Sequence, residues 1–339
     1  MTDNTMTASR ILFWSFIWLY KYDYNHAILY YELILFCIIC VRFVMNIYNI
    51  QRDYINMSNI YIIDLFCGCG GFSEGARTTG AHIILAIDNW EEALDIHKLN
   101  HPESVHMLMD LGGDASEFIN IIQKIIDEKV PEGGHVHIHG SPPCQNLSKV
   151  NVLRHEPEGL RLVDWYLNII KHIQPDSWTM EQVCGDSLKP LVEHYNGIYV
   201  DLPKLGVHNT RRRVIIGDNL NLDNISEYYC EAKTMKDVLV DEGSDYEPRF
   251  TRQTNGCRKK GVYATRVLDA VSYTVTSQFP KLFDPITCTF KTLDCDILAR
   301  LQTFPVGYFN GSSIGKGMKR KMIGNAVPPR LSCVLMNLI

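Results

Sequence analysis

The sequence predicts an α/β protein with a doubly wound, mostly parallel sheet, a smaller domain appended to it and a return to the large domain at the end. Three observations predict this. From Asn59 a strand, a glycine turn and a helix follow one another repeatedly, and alternating units of this kind fold as parallel sheets with helices on both faces. The strands are short apolar runs bounded by turn residues rather than long amphipathic stretches. After Gly217 the regularity lapses, with few clear periods and many polar residues to about residue 290.

Taken in order, Ile60–Leu65 reads as a buried strand, Gly68 to Gly71 as a turn and Phe72 to Thr79 as a helix. Ile83 to Ile87 is a second strand ending at Asp88, with a helix over Glu91 to Leu99 and another over Phe118 to Lys129. Val136 to His139 is a strand running into Ser141-Pro142-Pro143-Cys144-Gln145. Leu160 to Ile173 reads as a helix, Ser177 to Met180 and Val214 to Ile216 as strands, and Lys319 to Ile339 as a closing helix. The expected boundaries are an apolar extension at 1–56, a large domain at 57–217, a smaller, loop-rich domain at 218–290 and a return to the large domain at 291–339. Ligands of such sheets bind beyond the carboxyl ends of the strands, so the loops after Leu65, Ile87, His139 and Met180 converge on one crevice.

Composition narrows the class. The chain of 339 residues is 46% hydrophobic and 21% charged, as in a globular enzyme. Its net charge of −5 excludes a uniformly basic nucleic-acid coat. Yet Arg249, Arg252, Arg258, Lys259, Lys260 and Arg266 fall within an acid-free stretch, and a second one runs from Ile297 to the end. Two such stretches in an acidic chain fit a phosphate-tracking face better than a merely solvated one. Eleven unpaired-looking cysteines point to a reducing, intracellular compartment. His135, His137 and His139 alternate along one strand face, but no fourth ligand or supporting carboxylate accompanies them, so no metal is expected.

The first 56 residues are apolar in two runs, Ile11 to Tyr20 and Ala27 to Tyr48, the second broken by Glu32 and Arg42. The first is too short for a span, and the second carries two charges. Membrane association is expected only through residues 11–48, if at all. The favoured expectation is that Met57 starts the protein, because it stands just ahead of the first strand.

The chemistry-bearing segments come next. Asp64-Leu65-Phe66-Cys67-Gly68-Cys69-Gly70-Gly71-Phe72 follows a strand and opens a helix, and Asp88 ends the following strand 20 residues after Gly68. That arrangement lets backbone approach a nucleoside while a carboxylate meets ribose hydroxyls. A dinucleotide and S-adenosylmethionine fit it equally. In the Pro-Pro-Cys loop, both prolines restrict the backbone, presenting the Cys144 thiol on a stiff perch suited to nucleophilic catalysis.

Six segments in order resemble the DNA (cytosine-5) methyltransferase family: Asp64 to Phe72, Gly140 to Gln145 with Leu147-Ser148, Glu181-Gln182-Val183, Asn209 to Arg213, Arg300 to Pro305, and Gly324 to Pro329. The resemblance covers about Ile60 to the C-terminus. It implies a Rossmann-like S-adenosylmethionine-dependent methyltransferase fold with a small target-recognition domain. It implies methyl transfer to carbon 5 of cytosine in a short double-stranded DNA target, as in restriction–modification. Cys144 would be the nucleophile, Glu181 the partner of ring nitrogen 3, and Arg213, with Arg211 supporting, would hold the base and the nucleophile loop. Phe66, Gly68, Gly70, Asp88, Asn89, Trp90, Asp110, Pro143, Leu162 and Asn325 would form the S-adenosylmethionine pocket. Arg249, Arg252, Arg258, Lys259 and Lys260 would meet DNA. A monomer without an obligatory protein partner is expected, located wherever DNA is.

Three departures stand out. Gln182 replaces the family's usual asparagine and Asn209 its usual glutamine, and Leu293 to Asp296 lacks the residues usually found before Arg300. An inactive DNA-binding relative and an RNA cytosine-5 methyltransferase are therefore the rival expectations.

Overall fold

A computed structural model describes residues 59–143, 156–240, 250–259, 262–276 and 280–339. These belong to one compact unit, Met57–Ile339. The extension at 1–56, and with it residues 11–48, lies outside the described residues. Among the described residues no helix is long and apolar enough to cross a membrane.

The main sheet has seven strands, in the order β3-β2-β1-β4-β5-β7-β6. Its strands are β1 (Ile60–Leu65), β2 (His82–Asp88), β3 (Val105–Leu108), β4 (His135–Gly140), β5 (Ser177–Gln182), β6 (Ile198–Asp201) and β7 (Arg212–Asp218). β1 lies centrally, parallel to β2 on one side and β4 on the other. Only β7 runs against its neighbours, antiparallel to both β5 and β6. The chain reverses direction along the sheet at β1/β4, which is the topological switch point where such sheets bind ligands. β3 and β6 are absent from the sequence reading. They are edge strands of four residues each, too short to show a period.

The helices are α1 (Gly71–Arg77), α2 (Glu91–Asn100), α3 (Ala115–Lys129), α4 (Glu156–Ile173), α5 (Lys189–His194), α6 (Met235–Val240), α7 (Cys295–Leu301), α8 (Lys316–Asn325) and α9 (Pro329–Met336). α3 and α4 cover one face of the sheet through Phe118, Ile122, Val163, Tyr166 and Ile169, packed on Leu65, Leu85 and Ile138. α1 and α9 share the other face with Ile62, Ile83 and Ile215. The closing helix expected from Lys319 to Ile339 is in fact two. Pro328 and Pro329 supply no N–H, and Ala326 ahead of them is extended at ψ 146. Pro329 instead opens α9 from the first helical position, where a missing N–H costs nothing.

The region expected to be loop-rich holds a second, four-stranded sheet. β8 (Arg252–Lys259), β9 (Val262–Val267), β10 (Lys281–Asp284) and β11 (Thr289–Thr292) pair antiparallel in the order β11-β10-β8-β9. β8 is polar throughout, and its register with β9 shifts between Thr254 and Arg258. Neither apolar alternation nor a clean two-residue hairpin marked it in the sequence.

The three β4 histidines are hydrogen-bonded, not clustered for a metal. His137 Nδ1 meets Ser177 Oγ at 2.8 Å and Nε2 meets Thr179 Oγ1 at 3.0 Å, while His139 Nδ1 meets Thr179 Oγ1 at 2.9 Å. The His139 ring stacks on Phe72 of α1. Burial holds His137 down at about 3 and pushes His97, His101 and His139 below the usual histidine range as well. A depressed folded value means stability is present above pH ~6.5 and lost as pH falls below it. Each such group contributes up to about 1.4 kcal/mol per pH unit in that window. Buried Asp64, raised to about 7, and Asp88, also raised by burial, oppose this trend with one proton each, so the four histidines set the sign. Urea midpoints should fall steeply from pH 6.5 to 5, whereas a flat profile would mean these histidines are protonated in the fold.

Candidate active site

The glycine turn after β1 exists because side chains do not fit there. Gly70 has φ +89, and a Cβ on it would lie 2.7 Å from the Tyr308 hydroxyl. Tyr308 donates to the carbonyl oxygens of Cys69 (2.9 Å) and Gly70 (3.2 Å), tying the turn to the C-terminal region. Gly68, with φ +51, faces open space. Burial first, and the nearby Asp64 and Asp88 carboxylates after it, raise the Cys67 thiol well above its ordinary value. Burial likewise lifts Cys69 to about 12. Both are neutral packing residues.

Asp88 ends β2 and turns its carboxylate back to this loop. Oδ2 accepts from Gly68 N–H at 2.8 Å and Oδ1 from Trp90 N–H at 2.9 Å. Burial still raises its pKa from the ordinary carboxylate value. Asn89 donates to Asp110 Oδ1 at 3.0 Å, joining the loops that follow β2 and β3. Trp90 lies under the Lys321 ammonium, 4.7 Å from the ring centroid.

The β4 exit loop is clamped from both sides just before Cys144. Ser141 donates from Oγ to the Phe66 carbonyl at 3.1 Å and from N–H to the Leu65 carbonyl at 3.3 Å. Gln182 Nε2 donates to the Pro142 carbonyl at 2.8 Å, and its Oε1 accepts from Val183 N–H at 2.8 Å. Gln182 thus bridges the end of β5 to the loop, and the extra methylene is what reaches. An asparagine here withdraws the amide by about one carbon–carbon bond, ~1.5 Å. Misplacement of ~1 Å at a catalytic loop can cost ~100-fold in rate. Gln182→Asn should accordingly slow turnover by about that factor. Full turnover in the variant would show that the clamp does not govern the loop. Asn209 is also engaged, its Nδ2 donating to Leu301 O (2.8 Å) and Gln302 Oε1 (3.0 Å).

Glu181, one residue before Gln182, is 6% exposed and forms an ion pair with Arg213 on β7, with Arg213 Nε 2.6 Å from Oε1. Arg211 is buried and donates to the carbonyls of Gly324 (3.1 Å) and Val275 (3.3 Å), holding the end of α8.

One cleft of about 590 Å³ collects these groups. Its walls include Phe66, Gly68, Asp88, Asn89, Trp90, Asp110, Pro143, Leu162 and Asn325 together with Glu181 and Arg211. Two expected residues stand outside the lining. Gly70 sits behind the turn against Tyr308, and Arg213 stands behind Glu181. Cys144, Arg249 and Lys260 lie outside the described residues. Arg258 and Lys259 are described in backbone only, and Arg252 is exposed. The cleft also takes Asp64, which sequence reasoning left without a role of its own, and Lys321, which it placed only in the C-terminal basic stretch. For Lys321 the available signal was its i, i+4 spacing from Asn325 on a helix. Among the described residues no group of His, Cys, Asp or Glu could hold a metal ion.

Comparison with known proteins agrees with this architecture. The family model of the C-5 cytosine-specific DNA methylases matches residues 60–211. The chain is 26% identical over 296 residues to the type II methyltransferase M.HindV of Haemophilus influenzae, covering 80% of this chain and 93% of that protein. It is 36% identical over 124 residues to the type II methyltransferase M.HgiGI of Herpetosiphon aurantiacus, covering 36% of this chain and 88% of that one. Its fold resembles the crystal structure of the S. pombe Dnmt2 methyltransferase, with a TM-score of 0.60 at 17% identity over 82% of this chain and 97% of that one. The chain belongs to the C-5 cytosine-specific DNA methylase family and is a DNA (cytosine-5)-methyltransferase.

Proposed function

We propose that this enzyme takes a methyl group from S-adenosylmethionine and places it on carbon 5 of a cytosine flipped out of a short double-stranded DNA target, through a covalent adduct with Cys144. The observation that carries this reading is the single cleft in which the expected cofactor residues and Glu181 meet, with Gln182 fixing Pro142 two residues ahead of Cys144.

The cleft fits the cofactor on its own features. It has the volume for a nucleoside-sized ligand, an open glycine floor at Gly68 and a buried carboxylate oxygen on Asp64 that lacks a hydrogen-bond partner. Phe66 would lie against the adenine and Asp88 would meet the ribose hydroxyls, with Asn89, Trp90, Asp110, Pro143, Leu162 and Asn325 around them. When bound, the cofactor supplies an electrophilic methyl group on a sulfonium.

Carbon 5 of cytosine is a poor nucleophile until carbon 6 is attacked. In this reading the Cys144 thiolate forms a bond to carbon 6, and the ring electrons shift toward carbon 5 and nitrogen 3. Glu181 hydrogen-bonds or protonates nitrogen 3, neutralising the developing charge. Arg213 holds the Glu181 carboxylate from behind. Once carbon 5 has taken the methyl group, loss of its proton to a base restores the 5,6 double bond and expels Cys144 as thiolate. The target atom is buried in a duplex, so the base must leave the stack. Arg249, Arg252, Arg258, Lys259 and Lys260 would track phosphates, with β8–β11 as the recognition element. A role in restriction–modification follows from the same reading.

Bisulfite sequencing of DNA from cells expressing the protein tests this reading. Protected cytosines within one recurring short sequence are the expected result, and conversion everywhere would contradict it.

A further inference from the structure

The second sheet, β8–β11, has one face covered and one open. On the covered face, Gln253 of β8 is fully buried and donates to the carbonyls of Val267 and Ala270, each at 3.1 Å. Leu282 of β10 joins the core that holds Leu298 and Leu301 of α7. Register fixes what stands on the other face. Phe290 of β11 lies opposite Phe283 of β10, Phe283 opposite Arg252 of β8, and Arg252 opposite Val267 of β9. Side chains alternate between faces along a strand, and the neighbours of Phe283, Leu282 and Asp284, are the buried ones. The four residues therefore form a row across all four strands, about 14 Å long at ~4.8 Å per strand spacing.

The row is aromatic at one end and cationic in the middle. The Phe283 and Phe290 side chains are half-buried, with ring centroids 5.3 Å apart, while Arg252 is exposed and Val267 is 58% exposed. Lys281 stands on the same face two residues before Phe283. Among the described strand residues of this face there is no Asp or Glu. A cross-strand aromatic pair that only staples β10 to β11 accounts for the two rings. It does not account for an arginine and an exposed valine that continue the row, or for an acid-free face in a chain of net charge −5.

Chemistry selects the occupant. Cations without acids attract a polyanion, and aromatic rings on a sheet face attract the faces of nucleobases. A duplex hides those faces in its stack, so the rings gain little from it. A single strand offers phosphates and base faces together.

We propose that the open face of β8–β11 binds single-stranded nucleic acid, with successive bases on Phe283 and Phe290 and phosphates on Arg252 and Lys281. None of these four residues lines the cleft, so the site is separate from the one assigned to methyl transfer and stands whether or not that reading holds. Arg252 alone is shared with the phosphate contacts expected of duplex DNA; the two rings are not.

Fluorescence anisotropy of labelled oligothymidylate and oligouridylate of ~12 nucleotides, titrated with the whole chain, tests this. Binding of either is expected, and the tighter one identifies the strand as DNA or RNA. Phe283→Leu combined with Phe290→Leu keeps apolar volume and removes the ring faces. That variant should bind at least about tenfold more weakly, while its melting temperature and its methylation of duplex DNA stay unchanged. Lys281→Met should lower the slope of log affinity against log salt by about 0.7, the share of one phosphate on a single strand. Should the double variant fail to fold, Phe290→Leu alone, on edge strand β11, carries the test with a loss of about fivefold. The proposal is overturned if the unaltered protein binds neither oligonucleotide, or if the leucine variants bind as well as it does. It is equally overturned if duplex methylation falls in step with strand binding, or if excess duplex displaces the strand completely, since either would return this face to duplex recognition.

Discussion

Glu181→Gln is expected to lower the rate of methyl transfer by about 10²–10⁴-fold while S-adenosylhomocysteine affinity stays within about twofold. The carboxylate stands at the end of β5 with the Arg213 guanidinium at 2.6 Å, and glutamine keeps its size while removing both its charge and its ability to carry a proton. Phe66, just after β1, and Asp88, at the end of β2, which are proposed to face the nucleoside, are left in place. Arg213→Met acts on the same pair from the other side, leaving a buried carboxylate unpaired, and breaking such a pair costs about 3–5 kcal/mol. That variant should lose stability as well as rate, which separates the two partners. Single-turnover transfer of a radiolabelled methyl group, with thermal melts of each variant, measures both. An unimpaired rate in Glu181→Gln would take Glu181 out of the chemistry.

Gly75→Ala should be among the most damaging substitutions that leave the cleft lining untouched. A Cβ at this position would lie 1.9 Å from the Pro329 carbonyl and 2.1 Å from Ser332 Oγ. A backbone carbonyl cannot rotate away, so α1 must separate from α9 and open the apolar layer between them. Overpacking of this kind costs about 3 kcal/mol or more, a fall of roughly 5–10 °C in melting temperature. Gly68→Ala forms the contrast. Its left-handed φ costs an alanine about 1 kcal/mol, but no atom lies within 4 Å of the added carbon. The melt should hardly move, whereas the methyl group projects where the ligand is proposed to lie, so S-adenosylhomocysteine affinity should fall. Equal melts for the two variants would mean that Gly75 is not a packing glycine.

The parallel core was legible because β1 and β2 are apolar runs closed by turn residues, and because Gly68, Gly70 and Asp88 keep a fixed spacing. What escaped sequence reading has physical causes. β3 and β6 are edge strands with only two turns of the pleat each, and polar β8 is stabilised by pairing with β9 and β10 rather than by an alternating face. The closing helix was overrun because its apolar pattern continues through Val327-Pro328-Pro329, where geometry overrides pattern. Within the site, Gln182 looked like a flaw in the sequence; the Pro142 carbonyl that its longer side chain reaches becomes visible only once β5 and the β4 exit loop are side by side. The row of Phe290, Phe283, Arg252 and Val267 was hidden for a related reason. Its residues come from four strands, and no linear motif joins them.

The central claim is a covalent bond from Cys144 to carbon 6 of a cytosine in DNA. A duplex carrying 5-fluorocytosine tests it most directly, because fluorine cannot leave as a proton does and the adduct is trapped after methyl transfer. Incubated with S-adenosylmethionine and target duplex, the protein should give a complex that survives denaturation, is absent without the cofactor and is abolished by Cys144→Ser. The absence of any such complex with a duplex the enzyme methylates, or its persistence in Cys144→Ser, would contradict the account.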